Sequence, residues 1–129
     1  MAVILVVEDD PNQCLLYEEG LKDEGYEVIT AKDGREALRL VENQHPDLVV
    51  MDISMPGMDG IEAMSRMLSR DHKLPVILNT AYATYKDNFR SWSADAYVVK
   101  SSDMTELRDA IERVLKSRSP DRSEQEQQG

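Results

Sequence analysis

Five short apolar runs, rich in valine and isoleucine, alternate along the chain with longer segments in which apolar residues recur at helical spacing. The runs occupy residues 3–7, 27–31, 48–51, 76–78 and 97–99. Runs of strand length separated by segments of helix length predict βαβ crossovers and therefore a parallel sheet. We expect an α/β fold in which helices cover both faces of this sheet.

The first run, VILVV, is apolar without alternation, as is typical of a central strand covered on both sides. Each intervening segment carries one apolar stripe, so each predicted helix lies on the sheet. The fourth predicted helix places Tyr85, Phe89 and Trp92 on one face. Burial against the sheet is the first interpretation of that face, and a partner-binding patch is the second.

Length and charge narrow the class of protein. A chain of 129 residues is long enough for one compact domain, and its formal net charge of −10 disfavours direct binding to nucleic acid. Its single cysteine, Cys14, excludes an internal disulfide and fits a reducing compartment. No window approaches the roughly 20 apolar residues of a membrane span, so we expect a cytoplasmic protein without membrane insertion.

The C-terminal segment is polar and contains no large apolar residue. Such a segment buries too little surface to offset its loss of conformational entropy on ordering. We therefore predict a folded domain over residues 1–117 and a disordered tail over residues 118–129.

Acidic residues follow two of the predicted strands. Glu8, Asp9 and Asp10 come after the first strand, and Asp52 comes after the third. The carboxyl ends of parallel strands meet at one edge of the sheet, so these carboxylates should converge there. They would repel one another unless a cation joined them, and Mg²⁺ prefers such oxygen ligands. Asp10, directly before Pro11, is better explained as a helix cap.

Two further polar residues close neighbouring strands. Thr80 follows the fourth run and Lys100 follows the fifth. A carboxylate nucleophile, a metal ion, a hydroxyl group and an ammonium group together suit phosphoryl transfer to an aspartate.

These residues lie in four motifs, ILVVEDDP, PDLVVMDISMPGMDG, TA and YVVK, in this order. With these motifs, residues 2–115 resemble the receiver domain of bacterial two-component response regulators. The resemblance implies a CheY-like, flavodoxin-like (βα)5 fold, a doubly wound parallel sheet with strand order 2-1-3-4-5.

The resemblance also implies roles for the acidic residues. Asp52 would accept a phosphoryl group from a histidine kinase or a phosphotransfer protein. Asp9 and Asp52 would bind Mg²⁺ directly, together with the backbone carbonyl of Ser54, and Glu8 would act through water.

The same resemblance implies a switch. Thr80 and Lys100 would each bind a phosphoryl oxygen, and the ring of Tyr97 would move inward as Thr80 is drawn to the phosphate. The face formed by the fourth helix, the fifth strand and the fifth helix would then bind a downstream protein or a second copy of the chain. Such a domain is not an enzyme beyond its own phosphorylation and slow autodephosphorylation.

One residue departs from the family pattern, because Ser101 stands where a proline with a cis peptide bond usually follows the lysine. A cis bond before a residue other than proline costs about 2.5–4 kcal/mol, so we expect a trans bond and a rearranged loop. A flavodoxin is disfavoured because the acidic loop EDDPNQ would repel a flavin phosphate, and an aspartyl phosphatase because Ser54 replaces its second aspartate. A receiver that acts as a binding module without phosphorylation remains the alternative.

Overall fold

The computed structural model describes residues 2–52, 60–81, 94–101 and 103–128. Five parallel strands form one sheet with the order β2-β1-β3-β4-β5. The strands are β1 Val3–Val7, β2 Glu27–Ala31, β3 Leu48–Met51, β4 Val76–Thr80 and β5 Ala96–Val99. The predicted fold class and strand order are confirmed, and β4 extends two residues beyond the predicted run.

Within the described residues, four helices connect or follow these strands: α1 Pro11–Asp23, α2 Gly34–Gln44, α3 Gly60–Arg70 and α4 Thr105–Gln128. The helix predicted around Tyr85, Phe89 and Trp92 lies outside the described residues, so the label α4 belongs to the helix that the sequence predicted as the fifth. No helix in the described part of the chain has the length and apolar character needed to cross a membrane.

The apolar side chains of β1 alternate between two cores. Leu5 and Val7 pack into the cluster that contains residues of α2 and α3, whereas Ile4 and Val6 pack with residues of α1 and α4. The strand is therefore covered on both faces, as its continuous apolar character predicted.

Individual residues at each end of α1 determine where this helix begins and ends. The Asp10 carboxylate accepts hydrogen bonds from the backbone N–H groups of Asn12 and Gln13, so it caps the helix as predicted. At the other end, Gly25 has φ +95° and the N–H of Tyr26 donates to the carbonyl of Leu21 at 3.2 Å. This left-handed ending directs the chain from α1 into β2.

The backbone of α4 continues to Gln128, through the segment for which the sequence predicts a disordered tail. Helix nucleation is the unfavourable step, and the packed first part of α4 already supplies it through Leu107, Ile111 and Val114. Glutamate, glutamine and arginine, which propagate a helix well, are frequent after residue 117, but Pro120 in the same stretch is unfavourable inside a helix. That the folded domain ends near residue 117 stays a prediction.

Candidate functional site

The hydrogen-bond pattern of the sheet extends past the strand ends and places the polar residues there. The N–H of Glu8 donates to Ala31 O at 2.9 Å, and the N–H of Asp52 donates to Val7 O at 3.1 Å. On the other side of the site, the N–H of Lys100 donates to Thr80 O at 2.7 Å. Backbone pairing between neighbouring strands therefore brings these residues to one edge of the sheet.

Three carboxylates converge at that edge, as predicted. Each of Glu8, Asp9 and Asp52 offers one oxygen such that all three oxygens lie within 4.8 Å of one another. Glu8 and Asp52 are buried, with 3% and 7% of their surface exposed, whereas Asp9 is exposed. Asp10 is kept apart from this group by its role as the cap of α1.

The ammonium group of Lys100 lies between two of these carboxylates. Its Nζ atom is 2.7 Å from Glu8 Oε1 and 2.8 Å from Asp52 Oδ2. The Lys100–Ser101 peptide bond is trans, because no cis bond occurs among the described residues. The expected departure from the family loop is therefore present, and Lys100 still reaches the acidic cluster.

Burial and ion pairing compete at this site. Burial raises the pKa of Glu8, and hydrogen bonds from Lys100 and from the N–H of Asp10 only partly offset the effect. Burial by itself would lower the pKa of Lys100, but hydrogen bonds to Asp52 and Glu8 outweigh it and raise that pKa. Lys100 therefore remains in its charged form, whereas burial makes ionisation of Glu8 less favourable.

The donor set fits a magnesium ion. All three clustered groups are carboxylates, and Mg²⁺ in proteins is bound by one or two carboxylates together with water and phosphate oxygens. The exposed position of Asp9 leaves one side of the cluster open to solvent. Ser54, whose carbonyl the family resemblance adds to this set, lies outside the described residues.

Thr80 and Tyr97 lie on the face of the sheet that α2 and α3 cover. Leu78, which pairs with Tyr97 in the β4–β5 register, belongs with it to the cluster beneath α2 and α3. Strand alternation puts Thr80 on the same face, diagonal to Tyr97. Thr80 is fully buried and Tyr97 is 7% exposed. Their roles in a switch stay predictions.

Two buried polar residues next to the cluster were not predicted to act together. Asn79 is a polar residue in the mainly apolar strand β4, and Tyr17 belongs to the apolar stripe of α1. In the structure both side chains are almost completely buried, and burial raises the pKa of the Tyr17 hydroxyl, an effect that the Asn79 side chain partly offsets. Nothing in the sequence linked these two residues.

Comparison with known proteins agrees with this geometry. The family model of the response regulator receiver domain matches residues 4–112. Regulatory protein AtoC of Escherichia coli K12 is 40% identical over 118 residues, which are 90% of this chain and 26% of AtoC. Sporulation initiation phosphotransferase F of Bacillus subtilis is 37% identical over 114 residues, which are 87% of this chain and 92% of that protein. The chain thus spans about a quarter of the length of one relative and nearly all of the other.

Solved structures extend the comparison. The response regulator TrrA of Thermotoga maritima in complex with Mg²⁺-BeF has a TM-score of 0.83 at 42% identity, with 88% of this chain and 98% of TrrA covered. TrrA in complex with the histidine kinase ThkA has a TM-score of 0.82 at 43% identity, with 89% and 99% covered. This chain belongs to the family of response regulator receiver domains.

Proposed function

We propose that this receiver accepts a phosphoryl group on Asp52 from a histidine kinase or a phosphotransfer protein, and that Mg²⁺ is required. The observation that carries the proposal is the convergence of three carboxylates with Lys100, whose ammonium lies 2.8 Å from Asp52. Phosphoryl transfer needs little from a protein beyond positioning and charge neutralisation, and this site supplies both.

The residues would act as follows. A carboxylate oxygen of Asp52 attacks the phosphorus atom of a phosphohistidine, and the bond from phosphorus to the histidine nitrogen breaks as the new phosphorus–oxygen bond forms. The leaving nitrogen takes a proton from solvent. Lys100, already held beside Asp52, pairs with a phosphoryl oxygen and neutralises part of the added charge.

Glu8, Asp9 and Asp52 would hold the metal ion, with Glu8 acting through water and with the carbonyl of Ser54 as a further ligand. A bound Mg²⁺ supplies positive charge that screens the carboxylates from one another and from the phosphoryl oxygens. The existing bond between Glu8 and Lys100 keeps the least exposed carboxylate partly neutralised.

Phosphorylation would then shift the domain between two conformations. The phosphoryl group adds negative charge and acceptor oxygens at Asp52, and Thr80, at the end of the next strand, would donate a hydrogen bond to one of them. Tyr97, diagonal to Thr80 on the same face of the sheet, would change its packing in response. The face that the sequence predicts from its fourth helix, together with β5 and α4, would present this change to a downstream protein target or to a second copy of the chain.

Exposed leucine side chains on α1 suit contact with the donor protein. Leu15 and Leu16 are 52% and 44% exposed, and α1 begins directly after the acidic loop. Exposed apolar side chains beside a reactive edge suit docking of a donor protein. We place this exchange in the cytoplasm, with output through protein contact, and we expect no enzymatic activity beyond self-phosphorylation and slow autodephosphorylation.

A phosphorylation-independent binding module is the second candidate. It is favoured by the pairing of Lys100 with both Glu8 and Asp52, since a lysine bound in this way already neutralises the site without a phosphoryl group. The exposed Asp9 argues for the first candidate, because it adds a third carboxylate that the lysine does not pair with.

Intact mass after incubation with acetyl phosphate, with and without Mg²⁺, separates the two candidates. We expect the wild type to gain one phosphoryl group only with Mg²⁺, and Asp52→Asn to gain none. Asp10→Asn is the matched control, since asparagine also caps helices, and it should be phosphorylated like the wild type. A folded wild type that gains no phosphoryl group under any of these conditions would favour the binding module.

A further inference from the structure

One buried oxygen atom in the first turn of α1 has no hydrogen-bond donor. Within the described residues, the side-chain carbonyl oxygen of Gln13 is the only buried side-chain nitrogen or oxygen without a hydrogen-bond partner. Leaving a buried acceptor unpaired is unfavourable, because the group gives up hydrogen bonds to water and gains none in return. A water molecule held in place by a second group would supply the missing donor.

The position of Gln13 on α1 places its side chain on the side of the helix that faces the sheet. Tyr17 and Leu21, which follow at intervals of four residues, are buried and pack in the core cluster that contains Ile4 and Val6 of β1. Residues four apart lie on the same face of a helix. Gln13 therefore continues this buried stripe by one turn toward the N-terminal end of α1, which directly follows the acidic loop.

The ion-paired residues of the site lie on the same face of the sheet as α1. Three valines of the core cluster that α1 covers each stand two residues before one of these charged residues: Val6 before Glu8, Val50 before Asp52 and Val98 before Lys100. Side chains two residues apart along a strand lie on one face of the sheet. The three charged groups therefore lie on the α1 side of the sheet, at the carboxyl edge where α1 begins.

Backbone hydrogen bonds connect the first turn of α1 to the acidic cluster. The N–H of Asp10 donates to Glu8 Oε2 at 3.2 Å, and the N–H of Gln13 donates to Asp10 Oδ1 at 3.3 Å. The other carboxylate oxygen of Glu8 is 2.7 Å from Lys100 Nζ. Two successive hydrogen bonds thus link Gln13 to the buried carboxylate that, in the proposed function, acts on the metal ion through water.

We infer that Gln13 helps to hold hydrated Mg²⁺ at this site, with its side-chain carbonyl oxygen accepting a hydrogen bond from a water molecule bound to the ion. The inference rests on the metal site of the proposed function and adds a residue to it. Mg²⁺ keeps several of its waters when carboxylates bind it, and groups that hydrogen-bond to the ligands of a metal influence its affinity. An uncharged acceptor suits this position, because a fourth carboxylate would add to the repulsion among the three that are present.

The ammonium group of Lys100 is the alternative donor. It has three N–H groups, and it lies beside Glu8 and Asp52 on the α1 side of the sheet. It does not donate to Gln13 in this structure, in which the carbonyl has no partner. A substitution of Lys100 therefore distinguishes a metal-bound water from the lysine as the donor to Gln13.

The test compares Gln13→Met with the wild type by calorimetric titration with Mg²⁺ and by urea denaturation without metal. Methionine keeps the length and helix propensity of glutamine but removes the acceptor. We expect the Kd for Mg²⁺ to rise about three- to tenfold, the ratio that corresponds to one hydrogen bond of ordinary net strength. The urea midpoint of the metal-free protein should rise, because an unpaired buried acceptor is replaced by an apolar group. Gln44→Met, at an exposed position at the end of α2, is the matched control and should change neither quantity.

In a Lys100→Met background, Gln13→Met should raise the Kd for Mg²⁺ by the same factor, because the water molecule donates without the lysine. Loss of the effect in that background would assign the carbonyl to Lys100 and overturn the inference. An unchanged Kd or a lower urea midpoint in Gln13→Met, an equal change of Kd in Gln44→Met, or no Mg²⁺ binding by the wild type would also overturn it. A wild type that binds Mg²⁺ but gains no phosphoryl group from acetyl phosphate refutes the proposed function instead, and the Kd values then still decide the role of Gln13.

Discussion

Lys100 Nζ lies 2.8 Å from Asp52 Oδ2 although the peptide bond from Lys100 to Ser101 is trans. The position of the lysine is set by the backbone before it, because its N–H donates to Thr80 O at 2.7 Å. Its side chain therefore extends over the carboxyl edge of the sheet without a cis proline after it. The loop that follows turns locally, with the N–H of Asp103 donating to Ser101 Oγ at 3.1 Å.

Replacing Lys100 by methionine should destabilise the metal-free protein at pH 7 by about 3 kcal/mol, because it leaves two buried carboxylates without their cation. The Lys100 side chain is 13% exposed, so solvent compensates for little of this loss. Urea denaturation of both proteins measures the difference. Lys22→Met is the control, since Lys22 pairs with Glu18 at the surface and is 55% exposed, and it should change stability by less than about 0.5 kcal/mol. Equal effects of the two substitutions would contradict the buried ion pair.

Replacing Glu8 by glutamine should stabilise the metal-free protein at neutral pH. Burial raises the pKa of Glu8 above its ordinary 4.5, so the folded state binds this proton more tightly than the unfolded state does. The free energy of unfolding therefore falls as the pH rises from 4.5 through the raised pKa. Glutamine does not titrate, so this decrease in the free energy of unfolding does not occur in Glu8→Gln. Denaturation from pH 4 to pH 8 should show the advantage of Glu8→Gln growing with pH, and a constant difference would contradict the raised pKa.

Replacing Asp9 by asparagine should weaken Mg²⁺ binding by about tenfold or more, because it removes a charged ligand from the cluster. The free energy of unfolding without Mg²⁺ should stay equal or rise, since an exposed carboxylate that faces two others is removed. Calorimetric titration with Mg²⁺ measures the first effect and urea denaturation the second. Asp10→Asn, which changes a neighbouring carboxylate that caps α1, should leave the Kd for Mg²⁺ nearly unchanged. A tenfold loss in both variants would point to general electrostatics and not to ligation.

The fold was predictable because its signals are local and repeated. The continuous apolar character of β1 follows from cover on both faces, and Asp10 and Gly25 mark the two ends of α1. The end of α4 was not predictable in this way. Composition indicates whether residues 118–128 can pack, but it does not determine where a helix nucleated by Leu107 and Ile111 ends.

The sequence predicted which acidic residues meet at the candidate site, but not every contact that they make there. Parallel strands end at a common edge, so Glu8, Asp9 and Asp52 had to lie near each other. The pairing of Lys100 with Glu8 was not predicted, because it depends on side-chain reach across two strands.

The contact between α1 and the start of α4 gives a prediction about stability. A Cβ atom added at Gly20 would lie 2.5 Å from Met104 Sδ and 2.9 Å from its Cε, so the end of the methionine must move. Alanine is favoured over glycine in a helix by about 1 kcal/mol, and in Gly20→Ala this gain should be only partly offset, because the displaced atoms are the end of a flexible side chain. In a Met104→Ala background nothing needs to move, and Gly20→Ala should stabilise by the full amount of about 1 kcal/mol. Urea denaturation of the four proteins in this cycle measures the coupling, and equal effects of Gly20→Ala in the two backgrounds would show that Met104 does not hold α1 against α4.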